Sequence, residues 1–589
     1  MKFVKLLLHS LPGSALFALF IALLLFYINP EAPLRAASLW QTWLPLAASY
    51  GLAATLAWPL LLVMIRFFAR RKMKLRWASF ALFHRFYLAN AVLAAAVWWA
   101  NFASTPVLLA PADRRLLLAG CGLLTLGCAL GGVLSLQHVI SRAVAVRWGQ
   151  GIVVAALLAA LVALRLGTGG EAVPAHTPEM EVRDTGRRVV LVAVDGLSLD
   201  WILPLAADGK APSFRFLMRQ GAWGRVESFV PTAPPVIWTT VATGVLPYRH
   251  GILDYVRFEI SGGGASLALA PRYLLFRRLE RLGLASARPV DSGDRRVPAF
   301  WSILGHFGLE VQVLDWWATF PPEPVEGAIR PQPPGGWEAP GGVSADPLAE
   351  APELVREVEE RLARMADWGG TPDPGAEVLE ATVRRALALD MRALAEARRV
   401  DAEAPPTVLA LYLPGLDLVQ HRFLGYAMEA PHRDGTGRAD VLFGDVVARY
   451  YRFLDEELGS FLAGDAGAPR MLLVVSGFGV ERLPPWSLRR LWAGQEAWEG
   501  YHDHAPAGAY FALGAGIRGE RDELAAIQPS DILPTFLYYL GLPVGRDMHG
   551  RPRVGWFDDA FIGAQPLAYV PSYRRMRPRP LGSQEIPAS

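Results

Sequence analysis

RRVVLVAVDGLSLDW, residues 187–201, is the stretch that decides the fold. Its uninterrupted apolar run, Val189–Val194, leaves no polar residue for a solvated face, which predicts a strand buried on both sides in a parallel sheet covered by helices. The Asp-Gly that follows ends the strand in a turn. Open α/β sheets take their ligands beyond the carboxyl ends of their strands, so Asp195 is placed as a candidate metal ligand. Further on, SFVPTAPPVIWTTVATGVLPYRHGI (residues 228–252) joins a proline-rich turn to an apolar segment and closes it with the turn Ala242–Gly244.

The same kind of strand recurs at Glu310–Leu314, Thr407–Leu413 and Met471–Ser476, each bounded by turn residues. Between them Pro352–Trp368, Ala376–Val400 and Val441–Leu462 carry apolar residues at i, i+3 and i+4, the spacing of helices packed on a sheet. This alternation predicts an α/β domain with a doubly wound, mostly parallel sheet. The Pro/Gly-rich stretch from Arg330 to Pro347 reads as a loop or insertion.

The 589 residues exceed what one core supports, and 52% of them are hydrophobic, a share that places part of the chain in lipid. Residues 1–168 read as an all-α membrane domain of five spans: Leu11–Ile28, Trp43–Phe68, Phe86–Ala103, Leu116–His138 and Gly151–Leu164. Basic residues cluster between spans two and three (Arg70, Arg71, Lys72, Lys74, Arg76) and four and five (Arg142, Arg147). The opposite loops hold only Arg35, Arg114 and Arg115. Loops rich in Lys and Arg stay inside, so the N-terminus is expected in the cytoplasm and everything after the fifth span outside, in a periplasm if the cell is Gram-negative. Trp40, Trp43, Trp98 and Trp99 suit an interfacial aromatic belt. A polar linker (169–186), the α/β domain (187–568) and a disordered basic tail (569–589) complete the expected layout.

A formal charge of +3 is too near balance to argue for a nucleic-acid partner. Cys121 and Cys128 lie seven residues apart in an apolar helix, about 10 Å by the rise per residue and beyond disulfide reach.

Two further stretches carry chemistry. In LYLPGLDLVQHRF (411–423) a strand ends at Pro414, and Asp417 and His421 fall four residues apart, on one face of a helix, as two ligands of one metal. From spacing alone, an N-cap aspartate beside a half-exposed histidine is the commoner explanation. In YHDHAPAGAYFALG (501–514) a His-bearing loop runs into a strand, and His504 is the natural third ligand.

Taken in order, Asp195, the proline-rich turn, WWATFPPEPVEG (316–327), Asp417 with His421, His504 and the ending PSDILPTFLYYLGLPVGRDMHGRP (529–552) resemble the alkaline phosphatase superfamily. The type I phosphodiesterase/nucleotide pyrophosphatase branch is the most similar. The resemblance implies two adjacent metals, usually zinc, one held by Asp417, His421 and His504 and the other by Asp195 with an Asp-His pair. A Ser or Thr between them attacks phosphorus.

This chain departs from that pattern twice. Counting back from Gly244 puts the nucleophile position on Pro234, which has no hydroxyl. Where the branch carries Asp-His after a strand, this chain reads VVSGFGVER (474–482), with Gly477 following Ser476, so the resemblance implies at most one divalent metal. Thr232 is a candidate substitute nucleophile, and Ser476, Glu481, His502 and Asp503 are candidate neighbours for the missing pair. Two functions follow: an envelope protein anchored in the bilayer that binds a protein partner, or a metal-dependent phosphodiesterase or phosphotransferase that acts on a phosphate ester or lipid-borne substrate through a rearranged site. The five-span layout is similar to that of envelope phosphoethanolamine and glycerol-phosphate transferases.

Overall fold

The computed structural model describes residues 2–68, 80–141, 144–166, 185–262, 266–333, 347–349, 351–365, 374–429, 444–462, 469–482, 500–502, 505–519 and 522–574. The basic loop 70–76, Arg142, most of the linker, Asp503, His504 and the tail from residue 575 lie outside the described residues. The chain divides into two compact units, 1–172 with 256–289, and 173–255 with 290–589. The second is therefore interrupted by a 34-residue segment that belongs to the first, a discontinuity absent from the expected layout.

The first unit is built on α1 (Lys2–Ile28), α2 (Ala36–Leu46), α3 (Leu52–Phe68), α4 (Phe80–Ser104), α5 (Pro111–Ser141) and α6 (Val144–Leu166). A π-helical turn, Ala47–Gly51, joins α2 and α3 into one 33-residue apolar rod, which gives five helices long and apolar enough to cross a membrane. Pro45 brings no N–H to the rod, and within the π-helical turn the Ser49 hydroxyl donates to the Pro45 carbonyl at 2.8 Å. Helix α1 is the buried centre: Leu23, Leu24 and Leu25 are fully enclosed. Trp98 also turns inward, donating to Phe20 O at 3.0 Å, so of the four belt tryptophans it belongs to the core. Trp40 and Trp99 are exposed. Arg165 caps the end of α1 by donating to Phe26 O at 2.8 Å and Pro30 O at 2.6 Å, a cation on otherwise orphaned carbonyls. Cys121 and Cys128 are free thiols.

The segment 256–289 adds to this unit a three-stranded antiparallel sheet, in the order β4 (Ser266–Leu267), β3 (Val256–Ile260), β5 (Ala285–Pro289). No periodicity in the sequence announces it.

The second unit is an eight-stranded mixed sheet with helices on both faces. Its order is β13 (Leu524–Ile527), β2 (Ala222–Val226), β12 (Gly508–Gly514), β9 (Arg470–Val475), β1 (Arg188–Val194), β8 (Val408–Leu413), β6 (Val311–Leu314), β7 (Gly327–Arg330). Only β12 runs against its neighbours, β9 and β2. The opening stretch forms the central strand, with Val192 level with Leu411 on one side and Val474 on the other.

Alternation along β1 feeds two cores. Val190, Val192 and Val194 pack with α8 (Val355–Met365), α9 (Pro374–Glu403), α10 (Gly415–Glu429) and α11 (Val446–Leu462). Val189, Leu191 and Ala193 pack with α7 (Pro234–Thr243) and α12 (Ile532–Leu540). The start of the expected tail is ordered: Tyr569–Val570 pairs with Val544–Gly545, and Ser572 Oγ donates to Asp547 at 2.6 Å.

Candidate metal centre and the start of helix α7

Strand β8 ends at Leu413 and α10 begins two residues later, so Asp417 and His421 stand in the first two turns of a helix at the carboxyl edge of the sheet. A third side chain reaches them from the loop after β11 (Gly500–Tyr501), which pairs with β10 (Glu481–Arg482). This third group is His502. Asp417, His421 and His502 are all buried, and one ligand atom from each lies within 4.8 Å of the others. His504, the ligand expected from the sequence, is outside the described residues.

Proton positions in this cluster follow from its partners. His421 Nδ1 lies 2.9 Å from the Gly500 carbonyl, which can only accept, so Nδ1 carries a hydrogen and the ring is oriented with Nε2 towards Asp417. His421 Nε2 lies 3.2 Å from Asp417 Oδ2. A proton on the imidazole, or a cation shared by the two atoms, satisfies an approach of this kind. On the other side His502 Nε2 is 3.0 Å from Asp417 Oδ1. Burial opposes ionisation of Asp417, but the two facing imidazoles outweigh it and hold the carboxyl well below the usual range. One carboxylate, a backbone-oriented imidazole and a second imidazole form the donor set of a divalent zinc-type site with an open position, so the residues fit a metal. Gly500 permits the approach: a Cβ there would lie 2.8 Å from Gln420 O and 3.0 Å from His421 Cα.

Asp195 is placed differently. It shares the parity of Val189, Leu191 and Ala193, and its fully buried carboxylate turns to the α7 face. There Trp238 Nε1 donates to Oδ1 at 2.5 Å and the Tyr412 hydroxyl donates to Oδ2. Two aromatic donors thus hold both oxygens, and Asp195 is not part of the three-residue cluster.

Gly477 follows Ser476 just past β9. A Cβ at Gly477 would lie 2.2 Å from Ile237 Cγ2, so the Ile237 side chain fills the room that a larger residue would need. Ser476 serves the backbone, accepting from Leu197 N at 3.2 Å and donating to Phe478 O at 2.9 Å. Glu481 lies in β10.

The start of α7 is poor in free donors. Helix N-termini bind anions through free N–H groups. Here the first two helical residues are Pro234 and Pro235, which have none, and the amides of Val236 and Ile237 both turn back to Ala233 O at 3.0 Å. Thr232 lies outside the helix, half-buried, with its hydroxyl donating to Phe229 O at 3.1 Å.

Residues 189–487, half of the chain, match the family model of type I phosphodiesterase / nucleotide pyrophosphatase. No curated protein matches the sequence. Among solved structures, murine ectonucleotide pyrophosphatase / phosphodiesterase 5 is 13% identical with a TM-score of 0.34, over 60% of this chain and 95% of that one. Phosphonoacetate hydrolase from Sinorhizobium meliloti 1021 is 18% identical with a TM-score of 0.30, over 54% and 67%. Wild-type alkaline phosphatase PafA is 11% identical with a TM-score of 0.39, over 64% and 100%. With a central parallel strand leading into Asp195, a candidate ligand set on the helix after the neighbouring strand β8 and a family match across half its length, the chain belongs to the type I phosphodiesterase / nucleotide pyrophosphatase family.

Proposed function

We propose that this protein is a bilayer-anchored member of its family that has given up phosphoryl transfer and works by binding, as a scaffold or subunit of an envelope assembly. One observation carries the proposal: α7 opens with two prolines, so the nucleophile position offers neither a hydroxyl nor a free amide to a phosphate. The packing supports it. Ile237 fills the space beside Gly477, and Trp238 with Tyr412 takes both oxygens of Asp195, so the groups that would hold a second metal are replaced by side-chain contacts.

In this reading Asp417, His421 and His502 hold a single divalent cation, zinc by the chemistry of the donors, with the Gly500 carbonyl fixing the His421 ring. Bound there, the cation supplies a Lewis-acidic centre for an oxygen of a partner or ligand. The basic loops support an N-terminus in the cytoplasm and an α/β unit outside the inner membrane, in the periplasm if the cell is Gram-negative.

The opposing reading is a phosphodiesterase or phosphotransferase with a rearranged site and Thr232 as nucleophile, a residue that is only half-buried two positions before α7. Metal analysis of the detergent-solubilised full-length protein, with turnover of bis-p-nitrophenyl phosphate, separates the two. We expect one metal per chain, lost in His421→Ala, and no turnover. Turnover abolished by Thr232→Ala or Asp195→Ala would sink the binding-protein reading.

A further inference from the structure

The segment 256–289 is fastened to the helical unit by polar side chains. Asn29 Nδ2 donates to Leu269 O at 2.9 Å and its Oδ1 accepts from Leu269 N at 2.8 Å. Asn101 Oδ1 accepts from Arg272 N at 2.8 Å, and the Tyr50 hydroxyl donates to Leu274 O at 2.8 Å. Asn29 directly follows α1 and Asn101 stands in the last turn of α4, so residues 269–274 lie level with the ends of two spans. The exposed Trp99 is two residues before Asn101, and the exposed Trp40 stands near the start of α2. Amphipathic indoles of this kind sit at headgroup depth.

At that level the segment is basic. It carries six arginines against two glutamates and no lysine or aspartate, a surplus of four positive charges. Arg277, Arg278 and Arg281 are exposed and have no ion-pair partner among the described residues. Beside them Tyr273 is 61% and Leu282 63% exposed. Arg277 is three residues beyond Leu274, at most about 10 Å of extended chain. The headgroup layer is roughly 5–8 Å deep on each side of the hydrocarbon, so these guanidinium groups fall within its reach.

We propose that Arg277, Arg278 and Arg281, with Tyr273 and Leu282, form a collar that binds anionic phospholipid headgroups in the leaflet where α1 and α4 end. Planar guanidinium groups pair bidentately with phosphate oxygens, while the exposed tyrosine and leucine suit the boundary between headgroups and acyl chains. The collar is independent of whether the α/β unit catalyses anything.

The test uses the full-length protein in neutral detergent with mixed phosphatidylglycerol and phosphatidylcholine, counting retained lipids by native mass spectrometry. We expect preferential retention of phosphatidylglycerol, a loss of roughly fivefold per arginine in Arg277→Gln/Arg278→Gln/Arg281→Gln at low ionic strength, and a smaller difference in high salt. Unchanged unfolding of the variant in phosphatidylcholine alone verifies its fold. Should it unfold early, the three single variants, each expected to lose roughly fivefold, replace it. Equal retention of both lipids would overturn the proposal. So would equal phosphatidylglycerol retention by variant and parent, displacement by millimolar inorganic phosphate, or a loss confined to a variant neutralised at Arg70, Arg71, Lys72, Lys74 and Arg76.

Discussion

Asp195 and Gly477 are each held by a neighbour on α7. A buried carboxylate needs donors, and Trp238 and Tyr412 supply two of them to Asp195. Tyr412→Phe removes one and is expected to cost about 1–3 kcal/mol, read as a lower thermal midpoint of the full-length protein with unchanged metal content. Restoring a ligand at Gly477 meets Ile237, whose Cγ2 would stand 2.2 Å from the new Cβ. Gly477→Asp should therefore destabilise by about 1–3 kcal/mol through overpacking, and Ile237→Ala in the same chain should recover most of that loss in thermal unfolding. The proline at position 234 and the glycine at position 477 are legible in the sequence, because a missing hydroxyl or carboxylate is a fact about one residue. The packing of Ile237 against Gly477 is not legible, since it joins residues 240 positions apart. His421 is legible as the residue four after Asp417. For the third member of the cluster the sequence offers His502 and His504 two positions apart, and only the fold of the loop brings His502 onto Asp417.

Among the elements, α7 and the loop that follows it are pinned by a histidine. Ile252 N–H donates to His250 Nδ1 at 3.2 Å, so Nε2 carries the hydrogen and donates to Thr240 Oγ1 at 3.0 Å, while the Thr240 hydroxyl donates to Val236 O at 2.9 Å. Burial, then Arg295 and His549, push the imidazole pKa down to about 3. In the unfolded chain it returns to roughly 6.5, so between those values the unfolded state holds a proton that the folded state refuses. The stabilisation is complete above the unfolded value and is lost as pH falls towards the folded one, by up to ~1.4 kcal/mol per pH unit. His250→Asn should lower the thermal midpoint at pH 7 and flatten its dependence between pH 7 and 5, measured by tryptophan fluorescence. The four strands read from the sequence all form, at β1, β6, β8 and β9, because each is an apolar run buried on both faces. Strands β2, β7 and β13 lie towards the edges of the sheet, where short half-exposed segments such as Leu524–Ile527 carry too little periodicity to be recognised.

For the whole molecule, the five apolar helices were legible by length and composition, and the return of 256–289 to them was not. Its attachments are a few hydrogen bonds between Asn29, Tyr50 and Asn101 and backbone far along the chain, and such contacts leave no pattern in a sequence. Asn101→Ala should cost about 1–3 kcal/mol by leaving a buried amide unpaired, seen as a lower midpoint in detergent. The expected orientation is checked in intact cells with a membrane-impermeant maleimide: Ser286→Cys should label directly, and Met73→Cys only after permeabilisation.

The interrupted second unit also constrains how this protein can be inherited or re-engineered. A domain appended to an anchor through one linker can move to another anchor by a single recombination. Here the polypeptide crosses between the two units at the linker, again at Tyr255 and once more at Val290. A transplant cut only at the linker would carry away a surface made to rest on Asn29, Tyr50 and Asn101, so anchor and α/β unit are expected to be exchanged between relatives as a pair.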